Sequence, residues 1–404
     1  MKKYKLLGIL LMLQFGVQAQ PLDELIQQAK EFNPGLKAMQ LEYKAALQKA
    51  EQVDDWPDPT VNLGLGVLPI ETRLGAQRFR VGVSQMIPWK GSLKAKSNVA
   101  NAMAEIQSYN DEIREKDIEY AIRSAYSTLQ FLESQKQIIN QRLQVLNILE
   151  ELSKSNISSG KGKLSDVLFI ERKRKFLDAD MDLISKKIEQ PTILINRWIG
   201  KEQNNIIIVN QKLEHDENKE ELIHYANNNH PQYSKLETYR TASNSKIDLI
   251  QYDSKPKIRV GVDYSYIDAR NDVDIPGNGR DVLIPMGTVS IPLHKGKYSA
   301  IRQEEQIKQE AIDLKIQEIQ DKFSTEVNLA FSRLEYNNEV IRKYESLKEI
   351  TKETLKLMRT EYASEGTKFE ELLRLEMELI DYDLEITKAK YDQEISHAIL
   401  SKYK

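Results

Sequence analysis

Five histidines, nine scattered methionines and no cysteine bound the chemistry open to this chain of 404 residues. His215, His224, His230, His294 and His397 place neither a Glu-x-x-His pair nor two histidines at i and i+4 on a long helix, so they read as surface residues rather than metal ligands. Met1 and Met12 fall in an apolar leader and Met86 and Met286 in strands, which leaves no methionine-rich relay. No phosphate loop, Gly-x-Ser-x-Gly elbow or cysteine nucleophile is present, and most acids alternate with Lys and Arg as solvated helix faces do. These absences argue against an enzyme and give no cofactor or metal to expect. Segments such as RKYESLK mix bases with Tyr, but equal acid flanks them, which argues against a nucleic-acid surface. The acids with a distinctive setting are Asp166 and Glu371, each a few residues beyond a glycine and, with Ser165 and Glu370, in the first turn of an expected helix. There an oxygen or a negative charge is favoured by the free amides and the dipole, so capping is one reading of both.

The elements that carry these acids are long. From Ser92 to Ser159 there is no glycine or proline, and Ile118, Ala121, Ile122, Ala125, Leu129 and Leu132 recur at helical spacing. One helix of this length would reach roughly 100 Å at about 1.5 Å per residue. Lys297 to Glu365 repeats the pattern between Gly296 and Gly366.

The chain is in fact written twice. Glu24–Pro34 (ELIQQAKEFNP) aligns with Glu221–Pro231 (ELIHYANNNHP) at an offset of 197, and Ser159–Leu168 (SGKGKLSDVL) with Ser364–Leu373 (SEGTKFEELL) at 205. The second copy therefore gains eight residues between Gly261 and Gly296, and the turn-rich Asp268–Asp281 is the natural place for them. Each copy, 20–199 and 221–404, reads as short helix, second helix, two strands, long helix, glycine turn and returning helix. The first returning helix is expected over Leu164–Gln190, interrupted at Pro191. The linker 200–220 contains Ile206-Ile207-Ile208-Val209, the length of a small strand. Residues 1–19 have three lysines, an apolar core and Ala19, and read as a secretory signal peptide whose removal takes the net charge from −3 to −6. That mild charge again disfavours nucleic acid.

Strands are expected over 59–68, 78–87, 257–267 and 282–291. Val61, Leu63, Leu65 and Val67 alternate with Asn62, Gly64 and Gly66; Phe79, Val81 and Val83 alternate with Arg80, Gly82 and Ser84; Ile258 to Tyr266 do the same. Pro285 blurs the fourth. About 9–11 residues is the length that crosses a bilayer at a tilt. A half-buried sheet on a soluble protein is the competing reading, but nothing near the strands offers a core. Four strands cannot close, and open edges are not tolerated in lipid, so several chains must pool strands: three give twelve and room for a lumen.

This order, given twice after a signal peptide, resembles the outer membrane efflux proteins, the TolC-like channels. The corner Ser84-Gln-Met-Ile-Pro-Trp-Lys-Gly91 with its echo Ser290-Ile-Pro-Leu-His-Lys-Gly296, and the two turn segments, carry the resemblance; the Ile-Pro-Trp-Lys-Gly corner is most similar to members paired with heavy-metal and cation pumps. The resemblance implies a mainly α fold with a small β part, assembled as a homotrimer with a 12-stranded outer membrane β-barrel on a periplasmic α-helical barrel. It implies a passive exit duct serving a periplasmic adaptor and an inner membrane pump. Gly160, Gly162, Leu164, Ser165, Gly366, Thr367 and Phe369 would then form adaptor-docking tips. Asp166 and Glu371 would ring the periplasmic aperture, held shut by partners such as Tyr362, Lys163, Lys368 and Arg374. The alternative of another class is a soluble periplasmic coiled-coil scaffold.

Overall fold

A computed structural model describes residues 21–209, 215–365 and 367–404. The leader at 1–19, part of the linker and Gly366 lie outside these residues. The first half gives α1 (Leu22–Phe32), α2 (Pro34–Asp54), β1 (Thr60–Thr72), β2 (Gly75–Ile87), α3 (Ser92–Ser158) and α4 (Leu164–Ile199). The second gives α5 (Lys219–Asn229), α6 (Pro231–Asp253), β3 (Lys257–Asp268), β4 (Val282–Ser290), α7 (Gly296–Glu365) and α8 (Phe369–Leu400) in the same order. No helix among the described residues is long and apolar enough to cross a membrane.

Contacts divide the chain into two units, and neither is one of the sequence repeats. One holds residues up to Pro34, Arg114–Tyr225 and Phe323–Lys404; the other holds Gly35–Ile113 and Ala226–Lys322. Each draws on both halves of the chain.

The first unit is built on a seven-residue period. Ile118, Ala125, Leu132, Ile139, Leu146 and Ser153 of α3 are buried, as are Ile170, Leu177, Ile184 and Pro191 of α4. A strict heptad keeps one seam facing its partners, as in coiled coils. Leu355 and Tyr362 of α7 and Phe369, Leu372, Leu373, Leu379 and Ile380 of α8 complete the core. Pro191 does not interrupt α4, contrary to expectation: it occupies a buried seam position, and Thr192 Oγ1 donates to the Ile188 carbonyl at 2.9 Å. Packing of the seam outweighs the one backbone bond that proline removes. Nor does 206–209 form a strand, because no sheet edge meets it; Ile207 is buried alone while Ile206 stands exposed.

In the second unit the strands form one antiparallel sheet in the order β1-β2-β3-β4, open at both edges. The first hairpin is longer than its alternation suggests. Beyond a register shift between Leu65 and Ile70 the ladder resumes to Thr72↔Gly75, and Thr72 Oγ1 donates to the Gly75 carbonyl at 2.7 Å. Pro285 fits because β4 is an edge strand, where it lies opposite Val262. At the corner into α3, Trp89 Nε1 donates to the Pro256 carbonyl at 2.8 Å. Gly91 takes φ +89° where a Cβ would press on the Tyr252 hydroxyl at 2.7 Å.

Replacing Leu146, fully buried in the seam, with Ala should cost about 2–5 kcal/mol, read as a lowered unfolding midpoint in far-UV circular dichroism.

Candidate functional site

Two features of the structure bear on function, the faces of the sheet and the turns at the ends of the long helices. On one face of the sheet Val61, Leu63 and Leu65 of β1 lie beside Val83, Val81 and Phe79 of β2, and these beside Val262, Tyr264 and Tyr266 of β3. Most of this face is bare: Leu63 is 76% and Leu65 83% exposed, and Val61, Val83, Val260, Val262, Leu283 and Val289 are exposed too. Burying such a side chain is worth about 1.5–3 kcal/mol, so leaving the row in water would cost more than ~10 kcal/mol, on the scale of a whole domain's stability. The opposite face is polar and bonded to itself. Arg80 pairs with Asp263, which is 2% exposed; Arg259 Nη1 donates to Thr60 Oγ1 at 2.6 Å; Gln77 Nε2 donates to Ser265 Oγ at 3.2 Å. A Cβ at Gly82 would fall 2.0 Å from Asp263 Oδ1, so only glycine leaves room for that carboxylate.

At the turns the two halves differ. α3 ends on Gly160 at φ +74°, and the amides of Lys161 and Gly162 both donate to the Asn156 carbonyl, at 2.9 and 3.0 Å. Gly162 is not left-handed; a Cβ there would crowd the Ile157 amide at 2.8 Å, so its role is close approach. Ahead of α8 the left-handed residue is Lys368, at φ +60°. The helices are capped by Lys163 and Lys368 without a side-chain bond, so neither Asp166 nor Glu371 is a cap; both sit in the first turn, where the helix dipole favours an acid.

The acids also part company. Asp166 is 5% exposed, and its Oδ2 accepts from the Tyr362 hydroxyl at 3.2 Å while Ser165 Oγ reaches Oδ1 at 3.4 Å. Tyr362 is itself buried, shares a 3.0 Å bond with Ser153 Oγ, and accepts from Asn156 Nδ2 at its carbonyl at 3.1 Å. Burial first, and then the Asp166 charge, push its phenol pKa up, so it remains a donor. Phe369 packs on it at 5.2 Å and is buried, so this residue, expected to present a docking surface, shapes the tip from within. Leu164, Ser165 and Thr367 are exposed. Glu371 is exposed beside Arg374, whose Nη2 is 3.9 Å away and whose Nη1 contacts Glu378 at 3.1 Å. Lys368 pairs with Glu361 at 2.7 Å.

One cluster escaped the sequence reading. His215 and His397 are not simple surface residues: their rings stack at 3.6 Å and 1°, and both face Glu217. Two spacings mark it, His215-x-Glu217 and Glu394-x-x-His397, but only the fold joins them. Burial alone would lower the His215 pKa, yet its bonds to the Glu217 and Glu394 carboxylates outweigh that and raise it to about 9.

The sequence matches no curated protein. Residues 25–187, however, match the profile of the family described as outer membrane efflux protein. Solved structures extend the likeness in fold over nearly the whole chain. VceC from Vibrio cholerae superposes with a TM-score of 0.73 at 15% identity, covering 94% of each chain. CusC gives 0.75 at 16%, covering 95% of this chain and 91% of that one. The open state of the MtrE channel from Neisseria gonorrhoeae gives 0.71 at 15%, over 95% and 88%. The matched stretch runs from within α1 to within α4, and the second half of the chain gives the same order of elements.

Changing Tyr362 to Phe leaves the buried Asp166 carboxylate without its phenol donor and should cost about 1–3 kcal/mol. In a Y362F background Asp166→Asn should then cost less than it does alone, a coupling measured by a double-mutant cycle of denaturant midpoints.

Proposed function

We propose that this chain is the outer membrane exit duct of a tripartite efflux or secretion system, conducting cargo passively and performing no catalysis. The observation that carries this reading is the sheet: its apolar face is bare, its polar side chains bond to one another across the strands, and both edges are open. Three copies pooling four strands each would close a twelve-stranded barrel, with the aliphatic face towards lipid and Arg80, Asp263 and Arg259 towards a water-filled lumen. A soluble coiled-coil scaffold would leave that face with nothing to cover it. The likeness to VceC, CusC and MtrE supports the same assignment.

The long helices would form the periplasmic tunnel. Their tips, with Gly160, Leu164, Ser165 and Thr367 exposed, would receive a periplasmic adaptor linked to an inner membrane pump. Glu371, Lys368 and Arg374 would line the aperture, since charges repeated around an axis attract or repel ions at short range. Asp166 would act through Tyr362, as a latch between the two halves' tips.

The protein should fractionate with the outer membrane, leave it only in detergent and migrate as a heat-resistant trimer; a monomer soluble without detergent would falsify the duct. Leu65→Arg, on the lipid face, should abolish assembly, since an Arg near the bilayer midplane costs ~2–4 kcal/mol per chain. In planar bilayers Glu371→Gln should change cation block and Asp166→Asn should raise resting conductance, whereas identical traces from all three proteins would remove Glu371 from the aperture and Asp166 from the latch. A bulky residue at Gly160 should weaken adaptor capture in a pull-down, and undiminished capture would place docking elsewhere.

A further inference from the structure

Among the described residues, one group of three side chains can offer donor atoms to a single metal ion: His215, Glu217 and His397, whose ligand atoms all lie within 4.8 Å of one another. His215 and Glu217 precede α5, and His397 belongs to the last turn of α8. We propose that these three residues bind a borderline divalent cation of the first transition row, such as Zn2+, which clips the segment ahead of α5 to α8.

The donor set fits that chemistry. Two imidazole nitrogens and one carboxylate oxygen suit zinc and its neighbours, whereas calcium and magnesium take oxygen ligands almost alone. Glu217 faces the Nδ1 edges of both rings, and its side chain is 3% exposed: His397 Nδ1 is 2.9 Å from Oε2 and His215 Nδ1 is 3.8 Å from Oε1. His397 Nδ1 is buried and makes no hydrogen bond. A buried ring nitrogen left without a hydrogen bond beside a carboxylate is a costly arrangement that a shared cation would relieve.

A second carboxylate orients the site. His215 Nε2 is 2.9 Å from Glu394 Oε2, so the proton on that nitrogen is held by Glu394 and Nδ1 is turned towards Glu217. Histidines that ligate metals are held in this way by an outer carboxylate. Lys404 Nζ, 2.9 Å from Glu217 Oε1 and half exposed, supplies the positive charge at present and is free to swing away. Ligands at about 2.0–2.1 Å around zinc stand near 3.3 Å apart, so the 3.8 Å pair must close by about half an ångström and the 2.9 Å pair open by a few tenths. With three protein ligands the fourth position is left to water, which makes the ion exchangeable.

The test is isothermal titration of the full chain, purified in detergent and stripped by chelator, with Zn2+ alone. We expect one ion per chain at micromolar affinity or tighter. His397→Ala and Glu217→Gln should each weaken binding at least tenfold, and Glu394→Gln, which touches no metal, by about tenfold through loss of ring orientation. His294→Ala, at an exposed histidine that is not one of the three ligands, should change nothing. Because a variant can lose its fold, X-ray absorption of the zinc-loaded wild type gives an independent reading: two imidazole ligands at ~2.0 Å support the site. Absence of imidazole, zinc binding unaltered in folded H397A and E217Q, or no binding below millimolar zinc overturns it.

Discussion

A sheet with two open edges and a row of bare aliphatics is unstable as an end state, and the other features of this chain follow from that instability. In water each exposed Leu or Val forfeits part of the ~1.5–3 kcal/mol that burial would return, and each unpaired edge invites another strand. A helix or loop of the same chain laid over the sheet is one remedy, but no described element covers the apolar face. Closure with further copies is the other, and it relieves both defects together: edges disappear into a ring and one face turns to lipid. Gly82 and Asp263 show the polar side already prepared for this, since a buried carboxylate matched to Arg80 needs no protein above it, only water.

The long helices meet a different requirement, that of holding register over many turns without glycine or proline. A heptad seam does so because every seventh side chain returns to the same partners. That seam is why the spatial units differ from the repeats: α3 and α7 each pass from one unit to the other, so neither sequence copy can be a self-sufficient domain. It also explains how Pro191 is accommodated. At a buried seam position the ring packs as an apolar side chain, and the helix tolerates one missing amide.

Much of this was legible in the sequence because it is periodic. Alternation gave the strand faces, and glycine-free runs gave the long helices to within a residue or so. What stayed hidden depended on contacts between distant segments. The β1–β2 hairpin runs past Pro69 to a two-residue turn because β2 offers partners beyond the register shift, which no local pattern announces. Ile206 to Val209 has strand composition but meets no edge. His215 and His397 are 182 positions apart in number, and only the packing of α8 against the segment ahead of α5 brings their rings together.

The tips show how a duplicated sequence comes to be used unequally. At the offset of 205, Tyr362 stands where the first copy has Ile157, and Phe369 where it has Leu164. A phenol can donate to a buried acid and an isoleucine cannot, so only one of the two equivalent acids can be drawn inside. Asp166 is that acid, bonded to Tyr362 of the opposite copy, and Glu371 remains at the surface with Arg374. The aromatic pair Tyr362–Phe369 fills the second tip while Leu164 is left exposed on the first. Two changes of side chain therefore convert a symmetric pair of turns into one internal bond and one exposed charge, so that the first turn's acid ties the copies together while the second turn's acid stays accessible to solvent and ions.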